Sequence, residues 1–134
     1  MNILRHFNFK GKNRLIKWLG LSTGLDRIVP WGKKSLIKVN NTELIGFDIF
    51  WNGGYENDIH WCLDNIINEN SVCVDIGANI GVYTILLAEI SKTVHAVEPN
   101  SNFRDLLNSN IRLNNFNNIK DYDSGISKNG GGKF

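Results

Sequence analysis

The sequence predicts an α/β protein built on a Rossmann-like parallel sheet, and three observations predict it. Short β-branched runs at Val72–Ile76, Thr93–Val97 and Ile119–Tyr122 are separated by segments of helical periodicity. The first run ends in the glycine turn Asp75-Ile76-Gly77-Ala78-Asn79-Ile80-Gly81. Strand–helix–strand–helix–strand order calls for right-handed crossovers and parallel pairing.

Taken in chain order, residues 1 to about 22 read as a short basic amphipathic helix. Leu4, Phe7, Leu15, Trp18 and Leu19 are apolar, and Arg5, Lys10, Lys12, Arg14 and Lys17 lie among them. The bland expectation is a helix packed on the domain through Trp18 and Leu19. The sharper one is weak attachment to an anionic membrane surface, although one such helix rarely anchors stably. Residues 1–34 are therefore set apart as a basic helix and linker.

Residues 35–50 read as a hairpin, with Leu36, Ile37 and Val39 leading into a turn at Asn40-Asn41 and Leu44, Ile45, Phe47 and Ile49 returning. Trp51 to Glu56 is a glycine-rich loop. Core packing is the expectation for both Trp51 and Trp61, which flank it. A helix follows, with Ile59, Leu63, Ile66 and Ile67 at helical spacing.

Val72–Ile76 is continuously apolar up to Asp75, as for a strand with both faces buried. Ile80 to Ile90 is apolar nearly all round and predicts a buried helix. Ser101 is the expected N-cap of a helix carrying Phe103, Leu106, Leu107 and Ile111. His6, His60 and His95 show no metal-ligand spacing, so no metal site is assigned.

Composition limits the function classes. The 134 residues favour one domain, and no run approaches the roughly 18 apolar residues of a membrane span. A formal net charge of +2 is too small to argue for nucleic acid as a partner. Cys62 and Cys73 suggest no disulfide framework, as in a reduced cytoplasmic protein.

The glycine turn carries the chemistry. Parallel sheets bind ligands at the carboxyl ends of their strands. Gly77 permits a tight turn and close approach by a ligand, and Gly81 lets the next helix pack near the strand. Asp75 offers a carboxylate to a cationic group. Glu98 stands 21 positions after Gly77 at the next strand end, where an acidic residue accepts bonds from ribose hydroxyls. A dinucleotide would need G-x-G-x-x-G to cradle its pyrophosphate. Here Ala78 and Asn79 separate the glycines and no third glycine exists, so S-adenosylmethionine is the better fit.

The stretch Val72 to Ile119 resembles the FkbM family of methyltransferases. It carries D-x-G-A-N-x-G (Asp75 to Gly81), the aromatic Tyr83, E-P-N (Glu98 to Asn100) and N-I-x-L-N (Asn110 to Asn114). Tyr55-Glu56 looks like a further family element, and the likeness covers roughly residues 35–134. The resemblance implies methyl transfer from S-adenosylmethionine to a hydroxyl of a sugar or small natural product, with no nucleic acid involved. By position, Asp75, Gly77, Ala78, Asn79 and Gly81 would line the methionine side, and Glu98 and Pro99 the ribose. Asn100, Asp123 and Ser124 would lie near the adenine. Tyr55 and Glu56 could close over the site; a turn aromatic and a helix N-terminal carboxylate are the plainer readings. No catalytic base is legible. The resemblance also calls for a fourth strand with a K-I-D-x-E-G-like segment, so the sheet is expected to be truncated after about three parallel strands. That leaves either a fragment of an enzyme or a non-catalytic binding module completed by a partner.

Overall fold

The structure, a computed structural model, describes residues 7–125. Helix α1 spans Lys12–Trp18, strands β1 and β2 Asp26–Trp31 and Ser35–Asn40, and helix α2 Leu44–Phe47. A π-helical turn, Asp48–Asn52, continues α2, and α3 spans Asn57–Ile66. The α/β portion follows as β3 Val72–Ile76, α4 Val82–Ile90, β4 Thr93–Val97, α5 Ser101–Leu113 and β5 Ile119–Tyr122. No helix among the described residues is long and apolar enough to cross a membrane.

The chain divides into two compact units. One joins the stretch up to Val29 with Lys38–Asn57; the other joins Pro30–Ile37 with the stretch from Asp58 onward.

In the first unit, Ile16 of α1 packs with Phe47 and Trp51, all buried. Lys12 reaches the same place from α1, its ammonium donating to the Trp51 carbonyl at 2.6 Å. The anchors are therefore Lys12 and Ile16, whereas Trp18 and Leu19, the expected contacts, face solvent. The helix can bury only one side, and Ile16 occupies it.

The expected hairpin exists, but with different strands. β2 pairs with the preceding β1 through a turn at residues 32–34. Residues 44–50, expected to return as a strand, are helical, and Gly46 lies against the Asn40 backbone. A Cβ there would stand 2.0 Å from the Asn40 carbonyl oxygen. Helical turns also bring Phe47 and Trp51, four residues apart, onto Ile16 together.

In the second unit, β3, β4 and β5 form a parallel sheet in that order, as expected. The register sets Cys73 beside Val94 and Asp75 beside Ala96. Leu87 and Ala88 of α4 cover Cys73, Val94 and Ile119, while Leu107 and Ile111 of α5 cover Ala96 and Ile119. Helix α4 is buried along most of its length, as its apolar sequence predicts. β3, expected to be buried on both faces, is not: Val72, Val74 and Ile76 are exposed because both helices lie on the other face. Trp61 also faces solvent, against expectation, since α3 turns Leu63 inward instead.

Asparagines join these elements. Asn114 pairs both ways with the Leu36 backbone, Asn110 donates to the Ile80 carbonyl, and Asn118 caps the end of α4 at Ala88 and Ser91. Trp31, near the hairpin tip, donates its indole N–H to the Val82 carbonyl at 2.8 Å. Glu89 accepts from the backbone amides of Lys33 and Lys34.

Candidate functional site

Parallel pairing puts the carboxyl ends of β3, β4 and β5 on one edge. Asp75 to Gly77, Glu98 to Asn100, and Asp123 with Ser124 lie at those three strand ends, so this edge gathers ten of the eleven candidate residues in one unit. Glu56 lies in the other unit.

Glu98 organises the edge. One carboxylate oxygen accepts from the Asn79 amide at 2.9 Å and the other from the Asn100 amide at 2.8 Å. The residue is only 6% exposed, so the two turns hold it in one position. Each oxygen keeps a further lone pair, and together they can take both hydroxyls of a diol. The turn reaches Glu98 because Asn79 adopts φ +51°, a left-handed conformation that asparagine tolerates.

Gly77 has φ +76°, and a Cβ built there meets nothing within 4 Å. The position therefore needs glycine for its backbone and leaves open space in which a ligand can lie against the chain. Its amide and that of Ala78 both donate to the Val97 carbonyl, which ties the turn to β4. Ala78 itself is buried beside Ala96 and Leu107. Gly81 has a packing role instead: with φ +93°, its missing Cβ would stand 2.8 Å from Leu107 Cδ1. The close neighbour is thus α5 rather than the strand.

Asp75 accepts a hydrogen bond from the Thr84 hydroxyl at 2.5 Å. Burial pushes its carboxyl above the ordinary carboxylate range. The bonds from Thr84 pull it back, and the negative charge of Glu98 adds to the rise. A carboxylate short of solvation is suited to receive a cationic ligand group such as an ammonium. The opening at Gly77, the diol-competent Glu98 and the under-solvated Asp75 together fit S-adenosylmethionine.

Asn100, and not Ser101, caps α5: its side chain accepts from the Asn102 amide at 3.0 Å. Asparagine does this as well as serine, and the fixed amide of Asn100 on Glu98 decides the frame. Pro99 is exposed between them. Asp123 pairs with Arg104 at 3.3 Å, tying the end of β5 to α5, and Ser124 is exposed beside it.

Glu56 is exposed at φ +48°. It hydrogen-bonds Tyr55, whose phenol is raised by burial and by the charges of Glu56 and Asp48. His95, in β4, has its Nδ1 2.7 Å from the Tyr122 hydroxyl, with the two rings stacked.

The model of the TRM5/TYW2 methyltransferase domain matches residues 47–126. The chain belongs to the TRM5/TYW2 methyltransferase domain family. This corrects the FkbM assignment. The motif residues that suggested FkbM are fixed by the scaffold and the strand ends: Gly77 and Asn79 shape a turn, Glu98 locks it, and Asn110 and Asn114 bind backbone. None of them reports on an acceptor.

Among curated relatives, a 56-residue segment is 48% identical to the tRNA(Phe) (4-demethylwyosine(37)-C(7)) aminocarboxypropyltransferase of Methanocaldococcus jannaschii. That segment covers 40% of this chain and 22% of the relative. The crystal structure of M. jannaschii TYW2 in complex with AdoMet aligns over 72% of this chain at 33% identity and a TM-score of 0.57. The alignment spans 42% of the TYW2 chain. The complex of aTrm5 with tRNALeu aligns over 75% of this chain and 29% of its own, with a TM-score of 0.58 at 19% identity, which speaks to fold alone.

The Rossmann-like fold and the methyltransferase-domain assignment are thus retained, with S-adenosylmethionine as the cofactor. The expected sugar or small-molecule acceptor, with nucleic acid excluded, is overturned, because the relatives are named for work on tRNA. The exclusion rested on net charge, a sum that hides how charge is distributed along the chain.

Proposed function

We propose that this chain is the S-adenosylmethionine-binding part of an enzyme that modifies tRNA. The observation that carries the reading is the 48% identical segment shared with a tRNA aminocarboxypropyltransferase. Glu98 would hold the ribose hydroxyls, Asp75 the ammonium, and the opening at Gly77 the methionine chain. Asn100, Asp123 and Ser124 would border the adenine.

The sulfonium can give up either of two groups. Attack on the methyl carbon leaves S-adenosylhomocysteine, whereas attack on the Cγ of the amino-acid arm leaves 5′-methylthioadenosine. In both cases the tRNA nucleophile loses a proton. The family name favours methyl. The same 48% identical segment favours the aminocarboxypropyl group, and this second reading is kept for that reason. Catalysis in either case rests largely on holding the sulfonium in line with the acceptor.

Among the described residues β3 is a sheet edge with one bare face, an arrangement parallel sheets avoid. A further strand beside it and a covering layer would complete the domain, supplied by more polypeptide or by a partner in the manner of a binding module. The free thiols Cys62 and Cys73 suit a reducing cytoplasm.

Calorimetry with S-adenosylmethionine tests the cofactor reading. Weak binding by this chain is expected, and no binding would overturn it. Turnover is expected once the strand and layer are supplied. Liquid chromatography of the by-product, after incubation with unmodified tRNA, then assigns the transferred group. Modification of sugars but not of tRNA would overturn the substrate class.

A further inference from the structure

We infer that the solvent face of α1, formed by Arg14, Lys17 and Trp18 with Lys10 just before the helix, is an RNA-docking surface. The inference rests on the reading of tRNA as substrate and adds the place where RNA is held.

Charge is distributed very unevenly along this chain. The first 25 residues carry five Lys and Arg and no Asp or Glu, whereas the other 109 carry ten against thirteen. The small overall charge of +2 therefore conceals a segment of +5 joined to a remainder of −3. None of the ion pairs among the described residues uses Lys10, Arg14 or Lys17.

The helix presents these charges from a fixed base. Ile16 is fully buried against Phe47 and Trp51, and Lys12 is bonded to the Trp51 carbonyl. Arg14, Lys17 and Trp18 stand three and four residues apart and so share one side of the helix. The Lys17 ammonium lies 5.7 Å from the centroid of the Phe47 ring, and the residue stays exposed.

Trp18 is 80% exposed although nothing in the packing of α1 requires a tryptophan there. An open indole face beside guanidinium and ammonium groups matches the two needs of RNA recognition. Unpaired bases stack on aromatic rings, and phosphates are held by Arg and Lys. A membrane is the weaker match, because a seven-residue helix is too short to anchor stably, even with Phe7, Phe9 and Leu19 exposed beside Trp18.

The test measures fluorescence anisotropy of the protein with a labelled unmodified tRNA transcript across a salt series. The wild type is compared with the double variant R14E/K17E and with Trp18→Ala. The double variant is expected to bind at least tenfold more weakly and to lower the salt slope by about 1.5–2, as for two lost phosphate contacts. Trp18→Ala is expected to lose about fivefold or more with the slope unchanged. S-adenosylmethionine affinity and the circular dichroism spectrum should match the wild type in all variants, which separates docking from folding. If the wild type binds tRNA and both variants bind as tightly, the α1 surface is wrong and the substrate reading stands. If the wild type binds no tRNA at low salt, the substrate reading falls with it. Binding to phosphatidylserine vesicles without binding to tRNA would assign the face to a membrane and overturn the inference.

Discussion

The two faces of the three-stranded sheet are made from the same three short strands, yet they differ completely in what they meet. On one face, Cys73, Val94, Ala96 and Ile119 lie beneath α4 and α5. On the other, Val72, Val74 and Ile76 are 63%, 59% and 64% exposed, with His95 and Tyr122 beside them in register. Both crossovers run to one side, so a strand that is apolar on both faces has been supplied with helices for only one. The strand-end site belongs to the finished face: Asp75 reaches Thr84 of α4, and the turn after β3 closes over Leu107 of α5. The strand-end turns can therefore be well formed although, among the described residues, the other face of the sheet is bare.

The largest effect expected from this comparison is at Leu107, fully buried over Ala78 and Ala96 and filling the space left by Gly81. Leu107→Ala should lower stability in urea unfolding by about 2–5 kcal/mol, the usual range for truncating a leucine in a packed core. A loss below about 1 kcal/mol would mean that the covered face is loosely packed and that the contrast between the faces is overstated.

Glu98 comes next. Glu98→Ala removes the carboxylate from two backbone amides and from the proposed ribose contact. S-adenosylmethionine binding should weaken at least tenfold, about 1.4 kcal/mol. Unchanged affinity by calorimetry would remove Glu98 from the cofactor site and leave it a turn lock only.

Asp75 sharpens the electrostatic side. Its carboxyl is raised, chiefly by burial, so the folded chain holds that proton more tightly than the unfolded one. Stability is then lost as pH rises from the ordinary carboxylate value through the raised one, and the penalty is complete above it. Asp75→Asn removes the penalty and can still accept from Thr84. The ligand-free variant should melt no lower than the wild type at pH 7, with any advantage fading toward pH 3. Its rise on adding S-adenosylmethionine should be smaller, since the ammonium has no carboxylate to meet. A variant less stable at pH 7 and equally responsive to ligand would refute both statements.

Much of the finished face was legible in the sequence. β3, β4 and β5 fall where their β-branched runs predict, and α4 is buried as its composition demands, because these features are written into contiguous residues. What was not legible depended on choices between neighbours. β2 could pair forward or backward, and the true partner β1 contains Pro30, which a two-stranded ribbon tolerates on its free edge. Residues 44–49 alternate plausibly as a strand, but Gly46 and the Ile16–Phe47–Trp51 cluster favour a helix. The site turn was readable because Gly77, Asn79 and Glu98 act locally. The acceptor was not, because those residues answer to the scaffold. The segregated charge of the first 25 residues was visible throughout and was lost only by summing it.

The smallest effect tests the open face itself. Val74→Thr keeps a β-branched side chain and removes apolar surface from a position that touches no helix of the described chain. If the face meets water in solution, the change should shift stability by no more than about 0.5 kcal/mol, as surface substitutions do. Self-association in sedimentation velocity should also decrease, since a bare apolar sheet surface next to an unpaired edge favours contact between chains. A larger loss of stability that grows with protein concentration would mean that copies of the chain already cover one another there. The asymmetry between the faces would then belong to the single chain and not to the protein in solution. A loss of that size independent of concentration would place the cover within the chain, and Val72 and Ile76 would have to lose stability with it.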